Sequence, residues 1–419
     1  MLTINIMSNE NDLPINELIK YARLVLNVGV NFQKGQCLRI SSEPVHRQFI
    51  IILSTEAYKM GAKYVYVQYA DQELVKSRVE NCQVEEHLEF VPDFYSSLSA
   101  ELVKDNSWAH ISLSGSENPD VFKEIDVKKL NLCNLAFRKV FMPVMNNLIA
   151  HKNSWCVCAV PTDKWAAKVI NDGSKINLWK NMAKILRLDS EETVEQWRNH
   201  CSKLKNRADY LTKKQFKYLH FTGPGTDLKV HLINDCGWKG GGAITSDGRE
   251  FVPNLPTEEV FTSPNKFLTE GRALITRPVS VFGYHVRDAW FEFKSGKVAE
   301  FGASDGREFL QKFLETDSGS SFLGEVALVD SSSLIYQSGL VFQNILFDEN
   351  ASCHIALGAA YPLNLSKKSL SDLEKEEIGL NTSQLHTDFM IGSDELSVKA
   401  FTDTGVEECL VEKGKFISI

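Results

Sequence analysis

Four short segments beyond Leu255 hold the side chains best suited to chemistry: Pro256-Thr-Glu-Glu-Val260, Gly324-Glu-Val-Ala-Leu328, Phe347-Asp-Glu-Asn-Ala-Ser-Cys-His354 and His386-Thr-Asp388. Each is flanked by apolar sequence. Carboxylates and imidazoles drawn from separate segments are what a pair of divalent ions needs, because each ion takes oxygen or nitrogen ligands and one carboxylate must bridge them.

Spacing decides whether these groups can converge. His386 and Asp388 are two apart, so on an extended strand they project from one face and can share an ion. Glu349 and His354 are five apart, a spacing that suits a tightly bent loop. Glu325 precedes Val-Ala-Leu-Val and is expected at the entry of an apolar strand. Taken singly, each has a plainer reading. Glu258 and Glu259 follow Pro256-Thr257, as acids do in the first turn of many helices. A lone glutamate beside a strand is usually solvated, and a lone histidine is usually hydrogen-bonded in place. As a set they favour a metal, since charged residues are seldom placed among runs such as Val326–Val329 or Phe389–Ile391 without partners.

The segments Asn254-Leu-Pro-Thr-Glu-Glu-Val-Phe-Thr-Ser-Pro264, Leu323-Gly-Glu-Val-Ala-Leu-Val329, Leu346-Phe-Asp-Glu-Asn-Ala-Ser-Cys-His-Ile-Ala-Leu-Gly358 and His386-Thr-Asp-Phe-Met-Ile-Gly392 resemble the signatures of the aminopeptidase T, aminopeptidase S and PepS family of bacterial dinuclear metallopeptidases. The resemblance extends to Tyr21-Ala22, Gly29-Val-Asn31, Gly35-Gln36 and Gly61-Ala-Lys63, and so covers nearly the whole chain. It implies a metal-ligand set of Glu259, Glu325, His354, His386 and Asp388, with Glu349 a further member, and a tyrosine near the metals at Tyr361. It also implies two divalent ions per subunit, short peptide substrates and a homodimer.

Such a site would hydrolyse an amide. Two ions lower the pKa of a shared water, polarise the scissile carbonyl and offset charge on the tetrahedral intermediate. A carboxylate not committed to both ions, with Glu258 and Glu349 as candidates, would carry the proton from water to the leaving amine. Tyr361 would donate its phenolic hydrogen to the oxyanion; otherwise it is a core aromatic before a proline. Zinc, cobalt, magnesium and manganese all suit a mixed carboxylate and imidazole set. A dipeptidase or carboxypeptidase would use the same ligands, and a peptide-binding protein with an inert site would keep them without turnover. A glycosidase using Glu258 or Glu259 with Glu325 gives His354 and His386 no task.

Other nucleophiles fit poorly. Ser333 lacks a Gly-x-Ser-x-Gly elbow, and Cys353 lacks the surroundings of a peptidase cysteine and reads as packing. Gly240-Gly-Gly242 lacks the Lys-Ser/Thr of a phosphate loop and reads as a flexible turn.

With 419 residues and a net charge of -8, from 46 basic and 54 acidic side chains, the chain offers no basic patch for nucleic acid. The amino-terminal Met1–Met7 has no basic region leading into an apolar one, and no segment has the length of a membrane span, so a cytoplasmic protein is expected. Nine scattered cysteines, an odd number, point to reduced thiols. Cys156-Val-Cys158 has no second pair to close a zinc site and is expected within a buried strand.

The elements that must hold these groups differ between the two halves. Leu18, Tyr21, Ala22, Val25 and Val28 recur at helical spacing over Asn16–Val28, which Gly29 ends. Apolar runs at 37–40, 64–67, 108–113 and 155–160 alternate with helical patterns such as 47–61 and 165–171, so an open, mostly parallel α/β sheet is expected. A charged helix over 190–217 follows, with a solvated face. From Leu219 the pattern turns to strands between glycine and asparagine turns. The expected organisation is an α/β protein with an amino-terminal open α/β domain over 1–216 and a mixed α+β catalytic domain over 217–419.

Overall fold

A computed structural model describes residues 13–362, 365 and 370–417, and the Met1–Met7 segment lies outside them. The chain divides into two compact units, one reaching to Arg198 and including Gly242–Leu255, the other formed by Asn199–Gly241 and the residues from Pro256 onward.

The first unit is built on a five-stranded sheet of β1 (Cys37–Ser42), β2 (Tyr64–Tyr69), β3 (Trp108–Ser114), β4 (Ser154–Ala159) and β5 (Asn254–Leu255), in the spatial order β5-β4-β3-β1-β2. Every pair is parallel. The parallel α/β organisation expected of this half is what forms, and it needs helical crossovers such as Arg47–Lys59 and Val127–Ile149 to return the chain each time. The first helix, Ile15–Leu24, buries Leu18, Tyr21, Ala22 and Leu24. Its expected last turn widens into a π-turn at Val25–Gly29. Gly29 lies so close to β4 that an added Cβ would stand 2.8 Å from Cys156 Sγ. Cys156 and Cys158 are buried on that strand, and all nine cysteines are free.

Among the described residues the second unit contains two large antiparallel sheets and a two-stranded pair, Val279–Val281 with Tyr284–Val286. The larger has eight strands and includes Tyr218–Gly223, Thr226–His231, Glu270–Leu274, Trp290–Lys294 and Ser397–Phe401. The smaller is ordered β9 (His386–Met390), β8 (His354–Gly358), β7 (Leu323–Val329), β6 (Glu259–Thr262) and the short strand Lys239–Gly240. Val260, Val326, Leu328, Ile355, Leu357 and Phe389 of the smaller sheet join Leu219, Phe221, Leu228, Val230, Phe291 and Phe293 of the larger in one buried core. Since side chains alternate across a strand, this assigns one face of the smaller sheet to packing and leaves the other for different use.

The helix start suggested by Pro256-Thr257 does not form; Glu259 opens β6 instead. The glycine run is likewise a close crossing and not a loose turn. A Cβ on Gly240 would lie 2.6 Å from Val260 Cγ1, and one on Gly241 would lie 2.0 Å from the carbonyl oxygen of Cys201 on the helix Thr193–Lys214. Among the described residues no helix is long and apolar enough to cross a membrane.

Candidate metal centre

The face of the smaller sheet turned away from the core gathers the charged residues. Antiparallel pairing sets Glu259 opposite Val329, Ala327 opposite His354, Glu325 opposite Ala356 and Ala356 opposite Asp388. Residues directly opposite one another, and those two apart along a strand, share a face. Glu259, Glu325, His354, His386 and Asp388 therefore project to one side. Ala327, Ala356 and Gly358 stand among them and add no bulky side chain to that face. A bulge between Leu323 and Glu325 shifts the register, so Leu323 enters the core while Glu325 turns to the polar face.

Two glycines permit this arrangement at the strand ends. Gly358 has φ +104°, and a Cβ there would sit 2.1 Å from Leu385 O; a Cβ on Gly324 would sit 2.3 Å from Gly358 O. Only a residue without a side chain fits either place.

Glu259, Glu325 and His354 each offer a ligand atom within 4.8 Å of the others, and all three are buried. His354 Nε2 is 3.1 Å from Glu259 Oε2 and 3.6 Å from Glu325 Oε1. His386 Nε2 and Asp388 Oδ1 form a neighbouring pair 3.4 Å apart. Both imidazoles are oriented alike. Nδ1 of His354 meets the Ser352 carbonyl oxygen at 3.1 Å, and Nδ1 of His386 meets that of Ala359 at 2.7 Å. A carbonyl can only accept, so each Nδ1 carries the hydrogen, and each Nε2 lone pair of the neutral ring faces the carboxylates. Metal-bound histidines are held by such bonds.

Glu349 lies on the 3-10 turn Glu349–Ala351 that leads toward β8. Burial, then Asp388 and Glu259, raise its carboxyl well above the ordinary range. Glu325 is raised by burial as well, against the pull of His354. Burial would lower His354, yet Glu259 and Glu325 beside it carry it well above its usual value. His386 is pushed to about 9 against burial by Asp388, while Asp388 itself is lowered, burial being outweighed by His386. The upward shifts of Glu325, Glu349 and the two imidazoles favour their protonated forms, and divalent cations could take the place of those protons. Glu259 Oε2 is buried without a properly directed hydrogen bond, as an oxygen reserved for an ion would be. Donor type, spacing and this unsatisfied oxygen all fit a divalent metal.

Tyr361 follows β8 and stacks obliquely on His386, ring centroids 4.8 Å apart. Its residue is 44% exposed. Partial burial, followed by Glu325, Asp388, Glu349 and Glu259, keeps its phenol firmly protonated. Glu258 is not brought to the cluster. It precedes β6, and its carboxylate lies 3.3 Å from Nε2 of His200 on the helix Thr193–Lys214, a nitrogen that also meets the Thr257 carbonyl oxygen at 2.9 Å. Ser333 caps a short helix, and its hydroxyl donates to the Asn350 carbonyl. Cys353 exchanges its contacts with the Val329 backbone, and burial raises its thiol to about 11, which removes it as a nucleophile.

Two residues here escaped the reading of the sequence. His200 approaches Glu258 from far along the chain, and no local signal marks it. Asn350 stands between Glu349 and His354 among other polar residues, and nothing in that stretch singles it out. Its side chain is fully buried and accepts the backbone N–H of Glu258 at 2.7 Å.

Residues 15–416 match the family described as thermophilic metalloprotease (M29). The chain is 37% identical over 405 residues to Aminopeptidase 2 of Geobacillus stearothermophilus, covering 96% of this chain and 97% of the relative. It is 36% identical over 405 residues to Aminopeptidase AmpS of Bacillus subtilis, covering 96% and 98%. The solved structure of wild-type AmpT from Thermus thermophilus superposes with a TM-score of 0.88 at 32% identity, over 96% of this chain and all of that one. With a family match across almost its whole length and a buried carboxylate and imidazole cluster of matching chemistry, the chain belongs to the M29 family of metallopeptidases.

Proposed function

We propose that this protein is a metal-dependent aminopeptidase that removes the amino-terminal residue from short peptides. The observation that carries the reading is the single sheet face on which Glu259, Glu325, His354, His386 and Asp388 converge, both imidazoles held through Nδ1. Membership of a metallopeptidase family and the aminopeptidase names of its relatives support it.

The proposed ligands are Glu259, Glu325, His354, His386 and Asp388, with Glu349 as a further member, for two divalent ions such as zinc, cobalt, manganese or magnesium. Bound there, the ions would acidify water and polarise the scissile carbonyl. Glu325, central in the sheet between β6 and β8, is the proposed bridge. Glu349 is the proposed proton carrier, because it faces the cluster and holds a proton readily, whereas Glu258 is engaged by His200. Tyr361 donates its phenolic hydrogen to the oxyanion. A free substrate amine finds acids to pair with on the same face, which favours action at an amino-terminus.

Functionally, residues 217–419 would carry hydrolysis and 1–216 would limit access to short peptides. Homodimerisation follows the resemblance; light scattering should give a dimer, and a fully active monomer would contradict it. Nine free thiols support a cytoplasmic setting.

The test is to strip the protein with a chelator, restore single metals, and assay free and amino-terminally acetylated peptides in parallel. Activity should vanish on stripping, return with a transition metal and spare the acetylated peptides. Cleavage of acetylated peptides would move the assignment to a carboxypeptidase.

A further inference from the structure

Asn350 has no exposed surface, and its side-chain amide makes three hydrogen bonds beside the cluster. Its Oδ1 accepts the Glu258 N–H at 2.7 Å, and a backbone N–H can only donate, which settles the orientation of the amide. Nδ2 is then the donor. It reaches the Leu346 carbonyl at 3.1 Å and Glu349 Oε1 at 3.3 Å. The backbone is fixed as well, since the Asn350 carbonyl accepts the buried Ser333 hydroxyl at 3.0 Å. One side chain thus joins the residue before Glu259, at the entry of β6, to the carboxylate of Glu349 on the turn before β8.

The strand and the turn have no regular pairing with each other that would hold them in register. β6 pairs with β7 and with Lys239–Gly240, whereas Glu349 stands outside the sheet. The carboxylate of Glu349, partly buried, is held in one orientation by a donor that meets its Oε1. Asn350 supplies that donor and carries no charge of its own, so it restrains Glu349 without neutralising it.

We propose that Asn350 is a positioning residue: its amide holds the Glu349 carboxylate in place beside the Glu259, Glu325 and His354 cluster and ties it to the strand that carries Glu259. This rests on the proposed role of Glu349 as proton carrier. A misplacement of about 1 Å in such a group costs on the order of a hundredfold in rate.

The test compares Asn350→Ser, Glu349→Gln and the double variant. A crystal structure of metal-free Asn350→Ser should show the Glu349 carboxylate turned away from its present place. Bound metal, measured by atomic emission, should fall no further than in Glu349→Gln, where the carboxylate itself is lost. In turnover, kcat should fall roughly tenfold to a hundredfold with KM within about twofold. Because the two residues act as one, adding Asn350→Ser to Glu349→Gln should cost nothing further. An unmoved Glu349 carboxylate, or a loss that multiplies onto that of Glu349→Gln, would overturn the proposal. If the serine variant does not fold, Asn350→Asp keeps the bond to the Glu258 N–H, loses the donor to Glu349, and is read in the same way. Parental turnover in Glu349→Gln would overturn the role of Glu349 itself, and the crystallographic result would then decide Asn350 alone.

Discussion

At the scale of single residues, the groups that matter most are those able to gain or give a proton beside a cluster of acids. Tyr361 keeps its hydrogen because burial and the surrounding carboxylates oppose its ionisation, and it lies against His386. Tyr361→Phe removes only the donor. Steady-state kinetics should show kcat reduced by about a hundredfold, the usual consequence of losing one oxyanion donor, with little change in KM. Unchanged kcat would assign the ring to packing. The acids and imidazoles themselves were legible in the chain because charge stands out among runs such as Val326–Val329. His200 was not legible, since its contact with Glu258 is made only by folding.

At the scale of elements, the two-residue spacing of His386 and Asp388 spoke directly to a strand, and β9 has that form. Pro256-Thr-Glu-Glu was harder to read. A helix start is its local preference, but pairing of Glu259–Thr262 with Val326–Val329 prevails, and that partner lies too far along the chain to show in a local pattern. The bulge at Leu323/Glu325 and the contact of Gly324 with Gly358 also left no recognisable mark. Gly358→Ala would force a Cβ to 2.1 Å from Leu385 O at a φ of +104°. Strain of this kind costs about 1–3 kcal/mol, and displacement of the Ala359 carbonyl that holds His386 should follow. Urea denaturation should show the lost stability, and bound metal should fall with it; a variant matching the parent in both would contradict this account of the strand end.

At the scale of the whole molecule, alternation of strands and helices was enough to foresee the parallel sheet of the first unit, while the pairing order of the second could not be foreseen because its antiparallel strands meet across long separations. Stability over the whole chain should also report a buried imidazole remote from the cluster. His110 on β3 is held by burial, and further by Arg39, at about 3 from an ordinary 6.5. The sign follows from linkage. Below about pH 6.5 the unfolded chain takes up a proton that the folded chain refuses, so stability present above that pH is lost as pH falls toward about 3. His46, lowered by burial as well, acts in the same direction. The slope from one such group is at most about 1.4 kcal/mol per pH unit. The melting temperature followed from pH 7 to pH 4 should decline, and His110→Gln should flatten the decline; an equally steep variant would remove His110 as its source.

The most direct test of the central claim is the metal content of Glu325→Gln, measured by atomic emission alongside turnover of a free peptide. The parent should hold about two divalent ions per chain and lose turnover with them, as a dinuclear hydrolase would. Glu325→Gln, folded but without the carboxylate proposed to bridge, should lose bound metal and activity together. A variant that keeps its full metal and parental turnover would show that hydrolysis does not depend on this face of the sheet.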